Sequence, residues 1–85
     1  MNSFKELDEA KGVSAVDLKR VLQSYAKTGA AIKGKVVVAI INRTNLTDED
    51  KQKLLKSARL GVQVHEKMYE PREVREYQMV VDRLA

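Results

Sequence analysis

The chain has no cysteine and no tryptophan, and only one histidine, one proline and four glycines in 85 residues. Without cysteine there are no disulfides and no thiolate metal sites, and a single histidine removes His-rich metal centres and most catalytic triads. The absence of thiols suits a reducing compartment. No apolar run approaches the ~20 residues that a bilayer span needs, and the opening MNSFKELDEAKG is too charged for a signal peptide. The expectation is a cytoplasmic protein without membrane contact. Phosphate-binding GxxxxGK[ST] and GxGxxG patterns, the HExxH zinc motif and the GxSxG nucleophile elbow are all missing. The reading is therefore non-enzymatic: no catalytic residue, no cofactor and no metal.

One further absence points outward. No acidic residue occurs between Asp17 and Asp48, whereas Lys19, Arg20, Lys27, Lys33, Lys35 and Arg43 all do. Residues 1–45 carry eight Lys/Arg against four Asp/Glu, while residues 46–85 carry eight of each, so the whole formal net charge of +4 belongs to the first half. Clustered cations that neutralise phosphates are the electrostatic footprint of nucleic-acid binding. These six residues are the candidate contacts to DNA or RNA, with an acidic partner protein as the second possibility and a solvated basic face as the bland one.

What is present organises around residues 30–43, AAIKGKVVVAIINR. Its β-branched run has strand propensity and Gly34 sits badly inside a helix, at a cost of roughly 1 kcal/mol against alanine. Read as a helix, the same residues are apolar over most of the circumference, which belongs in a centre. The choice depends on whether any other segment can pair with it as a strand. An 85-residue chain has one domain and one core, burying ~60–65% of its unfolded surface.

The flanking segments read as helices. Ser3 with Glu6 forms a capping-box pattern that opens a short first helix ending at Gly12. Ser14 with Asp17 opens a second, with Ala15, Leu18, Val21, Leu22 and Tyr25 on one side, Lys19, Arg20, Gln23 and Lys27 on the other, and Gly29 as the stop. The composition of Asn42-Arg43-Thr44-Asn45 marks a turn; the consecutive glycosylation sequons Asn42-Arg43-Thr44 and Asn45-Leu46-Thr47, without a secretion signal, read as turn and cap residues. Thr47 and the acids Asp48, Glu49 and Asp50 start a long helix, where acids in the first turn suit the dipole and no calcium-loop spacing is present. Continued to Glu70, that helix gathers Leu54, Leu55, Ala58, Gly61, Val62, His65, Met68 and Tyr69 into an arc of about 140°. So continuous a stripe makes Gly61 an interior glycine at a close helix contact. His65 on that stripe reads as a core histidine bonded to a backbone carbonyl.

Pro71 ends the long helix and suits the first turn of the next, in which Val74, Tyr77, Val80, Val81 and Leu84 share a face. The expected fold is all-α: a compact bundle of about five helices, with a buried central helix over 30–43 and an antiparallel hairpin of 48–70 and 72–85. The alternative ends the long helix at Leu60 and pairs Val36–Ile41 with Val62–Val64 in a single βαβ unit. Leu60, Val64, Tyr69 and Met79 have no evident place in the core; they are the candidate contacts of a homo-oligomer.

Two resemblances attach to these stretches. AIINR, a capped helix and then LGVQVHE are similar in rhythm to the C-terminal part of ParA-like partition ATPases, which implies the βαβ alternative but no nucleotide chemistry, since no phosphate-binding loop precedes it. The run Leu18–Ile41 followed by LLKSARLGV resembles the layout of small helical bacterial biofilm and stress regulators, which implies a non-enzymatic dimeric regulator. The proline-jointed hairpin is similar to oligomerising segments of phage small terminase subunits, which implies an accessory factor that binds other proteins.

Overall fold

A computed structural model describes residues 14–85; the short helix expected over Ser3–Gly12 lies outside them. The described residues form four helices, α1 (Ala15–Thr28), α2 (Gly34–Arg43), α3 (Asp48–Lys67) and α4 (Pro71–Leu84), and contain no strand. The βαβ alternative is thereby overturned: Val36–Ile41 lies within α2 and Val62–Val64 within α3. The local β propensity of the valine run gives way because α4 and the shared core supply an apolar surface for it, and no second strand exists among the described residues to satisfy its backbone.

Helix α1 is closed at both ends by its own sequence. The Ser14 hydroxyl accepts from the Asp17 backbone N–H at 3.2 Å, and Gly29, at φ 72°, adopts the left-handed conformation that a glycine takes without penalty. Backbone bonds from Gly29 to Ala26 and from Ala30 to Tyr25 complete a Schellman closure. Helix α3 begins with a reciprocal capping box between Thr47 and Asp50.

The start of α2 has no local cap. The Gly34 N–H instead donates to Glu76 Oε1 on α4 at 2.9 Å, and a Cβ at position 34 would stand 2.6 Å from the Glu76 carbonyl oxygen. Gly34, which argued against a helix in the sequence, is the residue that lets the helix rest on the backbone of α4. The helix expected over 30–43 accordingly begins four residues late, because Ala30 is taken up in closing α1. Nor is it the centre. Helices α3 and α4 pack together in the middle, with α1 on α3 and α2 on α4, and the outer side of α2 exposes Lys35, Ala39, Asn42 and Arg43. One core joins all four helices through Leu18, Leu22, Val37, Ile40, Leu54, Ala58, Tyr77 and Val80, each at most 1% exposed.

Gly61 meets Tyr77 across the α3–α4 contact; the two are equidistant in sequence from Tyr69, as an antiparallel hairpin requires. The Tyr77 hydroxyl donates to the Ala30 carbonyl at 2.8 Å, and its ring stacks on His65 with centroids 5.4 Å apart. Burial first, and then the neighbouring Tyr25, push the Tyr77 phenol well above its ordinary range. His65 is 1% exposed, with Nε2 3.4 Å from the Ala30 carbonyl as the sequence reading expected, and Nδ1 2.8 Å from Glu70 Oε1, a partner it did not foresee. The ring ties the α3–α4 turn to the link between α1 and α2.

Helix α3 was expected to reach Glu70 and ends at Lys67. Tyr69, at φ 57°, reverses the chain, and Glu70 precedes a proline, which disfavours helical geometry. Met68 and Tyr69 consequently leave the apolar stripe and are 52% and 91% exposed. The sequon residues serve as turn and cap groups: Thr44 Oγ1 donates to the Ile40 carbonyl, Asn42 Oδ1 accepts from Arg83, and Thr47 caps α3.

Candidate nucleic-acid interface

Packing α1 against α3 turns two polar helix faces into the walls of one groove. On α1, Lys19, Gln23 and Lys27 recur every four residues and so form a single row. Across from them, Gln52, Lys56, Arg59 and Gln63 form a row on α3, the polar side left by the stripe that buries Leu54, Ala58 and Gly61. Leu55 and Leu60 lie between the rows, and the groove has a volume of about 1100 Å3.

The charges lining it differ in availability. Lys19 Nζ lies 2.6 Å from Asp50 Oδ1, and both side chains are largely buried, 24% and 14% exposed. Asp50 is also the acceptor in the capping box, so it is held on two sides. Lys53 pairs with Glu49 at 3.3 Å in an exposed contact of the kind that water and salt screen readily. Lys27, Lys56 and Arg59 are exposed and pair with no carboxylate among the described residues. These three are the cations open to a ligand.

The six residues expected from the acid-free segment are not brought together. Lys19 and Lys27 line the groove; Arg20 lies beside it, exposed and 3.4 Å from Asp17. Lys33 precedes α2, Lys35 is in its first turn and Arg43 in its last, on the helix that packs against α4. Lys53, Lys56 and Arg59, which complete the groove, were missed. Their signal was present as cations every three residues along the polar face of α3, but only the packing of α1 on α3 makes that face half of a site.

The candidate oligomer contacts are scattered. Leu60 lies in the groove, Val64 packs towards Gly29, and the Met79 sulfur lies against Gly34. Tyr69, at the hairpin tip, is the most exposed of the four and Met79 is exposed too, while Leu60 packs against the core. Among the described residues no helix is long and apolar enough to cross a membrane, and no group of three or more His, Asp or Glu side chains is placed to hold a metal ion.

The Lys19–Asp50 contact has a pH consequence. The hydrogen bond from Lys19 and then the Thr47 backbone N–H lower the Asp50 carboxyl below its ordinary value of 3.8. A folded-state value below the unfolded one contributes stability that is complete above the ordinary value and is lost as the pH falls through it towards the folded one. Asp50→Asn is therefore expected to destabilise the protein at neutral pH and to flatten its loss of stability below about pH 4, measured by urea unfolding across the acid range.

No family model, no curated protein and no solved structure matches this chain.

Proposed function

We propose that this is a small non-enzymatic accessory protein that contacts nucleic acid through phosphates at the α1–α3 groove and associates with itself. The observation that carries the reading is the pair of facing rows: Lys27 on one wall and Lys56 and Arg59 on the other, cations without a carboxylate partner among the described residues, held on rigid helices. Glutamines between them supply neutral donors to the same anion. Cations and glutamines on the two walls contact phosphates chiefly, and binding depends little on sequence.

Self-association is supported by Tyr69, a large side chain 91% exposed beside Pro71 and Val74 at the hairpin tip. An acidic protein is the alternative occupant of the groove, since it would satisfy the same cations.

The test is a salt titration of binding to duplex DNA and RNA. With about three phosphates neutralised, the logarithm of the association constant should fall with the logarithm of salt at a slope of roughly −2.7. No binding at about 50 mM salt, where phosphate contacts are strong, would remove the nucleic-acid reading and leave the acidic protein.

A further inference from the structure

Resting on the phosphate-binding reading of the α1–α3 groove, we infer that the groove takes double-stranded nucleic acid in preference to single strands. Proteins that hold single strands combine a basic channel with aromatic rings on which the unpaired bases stack. Among the described residues this groove has the first and lacks the second. Among the described residues no aromatic side chain lines it: Tyr77 is fully buried, Tyr25 is half-buried against the core, and Tyr69 stands beside Pro71 and Val74 at the hairpin tip, while Phe4 lies outside the described residues. The chain has no tryptophan to substitute for them.

A single strand in the groove would gain only phosphate contacts, and a flexible backbone would lose conformational freedom in making them. A duplex carries its phosphates already ordered, at a higher charge density of about one per 1.7 Å of axis. The helical frame that carries the cations is ordered as well. Lys19, Gln23 and Lys27 are spaced about 6 Å apart along α1, and the row from Gln52 to Gln63 spans about 16 Å along α3, both following from a rise of 1.5 Å per residue. Lys19 is bound by Asp50, so the open charge is borne by Lys27, Lys56 and Arg59 on two fixed walls. Cations carried on an ordered helical frame lose less when the phosphates they meet are ordered too, and that favours the duplex.

The experiment compares a short labelled duplex with each of its separated, non-self-complementary strands by fluorescence anisotropy at about 50 mM salt, using the full chain. The duplex is expected to bind at least about tenfold more tightly than either strand. Gln23→Trp, which adds a stacking ring to the α1 wall at an exposed position, is expected to tighten single-strand binding several-fold and narrow that gap. Single strands bound as tightly as the duplex by the unaltered chain would overturn the inference and leave the phosphate reading standing. Binding to neither, or tighter binding of a poly-glutamate peptide than of both, would overturn the phosphate reading and this inference with it.

Discussion

Gly61→Ala is expected to cost the fold about 2 kcal/mol or more, the net of an overpacked contact and the roughly 1 kcal/mol that alanine gains over glycine in a helix. The Cβ would overlap the Tyr77 ring, standing 2.6 Å from Cγ and closer still to Cδ1 and Cε1. That ring cannot swing aside. Its hydroxyl is bonded to Ala30, its face lies on His65, and it is fully buried. Helices α3 and α4 would have to separate, and that contact lies in the middle of the molecule. For a chain of this size, with a total stability of roughly 4–13 kcal/mol, such a loss shows directly in a urea midpoint. Shortening the opposing residue, as in Tyr77→Leu, should make the double variant less unstable than the two single losses summed. A Gly61→Ala chain more stable than the parent, the behaviour of an uncrowded helical glycine, would refute the close contact.

Reversing the three open cations, Lys27→Glu with Lys56→Glu and Arg59→Glu, should lower duplex affinity by about a thousandfold or more at about 50 mM salt, because attraction to phosphate becomes repulsion on both walls. The matched control reverses Lys33, Lys35 and Arg43. It changes the net charge by the same amount, on and beside the helix that packs against α4. Its effect should stay within about tenfold, since none of the three lines the groove and salt screens exposed charges away from the contact. Equal losses from the two sets would assign binding to net charge and remove the groove. Circular dichroism on both establishes that the helices persist: Lys27, Lys56, Arg59, Lys33, Lys35 and Arg43 are all exposed.

Features closed by near neighbours were legible in the sequence, and features made by distant contacts were not. Ser14, Gly29 and Thr47 cap where their spacing placed them, because a cap needs only the three or four residues beside it. Gly61 was legible because the stripe on either side of it was unbroken. The start of α2 was not: its cap is the carboxylate of Glu76, 42 positions away, and its glycine is explained by the backbone of α4. The partner of His65 was hidden by the left-handed turn at Tyr69, which brings Glu70 back to a ring that helical spacing would have kept from it.

The site was half legible for the same reason. The acid-free run drew attention to Lys19 and Lys27, but it also gathered Lys33, Lys35 and Arg43, which are neighbours in sequence and belong to another helix. Lys56 and Arg59 lie in a segment of zero net charge, residues 46–85, where compositional bias gives no signal. A charge count along the chain cannot see that Lys53, Lys56 and Arg59 lie on the side of α3 that meets α1.

The most direct measurement of where nucleic acid sits is a titration of the isotopically labelled protein with a short duplex, followed by amide and side-chain NMR shifts. The account predicts shifts concentrated on Gln23, Lys27, Gln52, Lys56, Arg59 and Gln63, with Lys33, Lys35 and Arg43 unchanged. Shifts centred on α2, or a spectrum that duplex leaves unmoved at low salt, would contradict it.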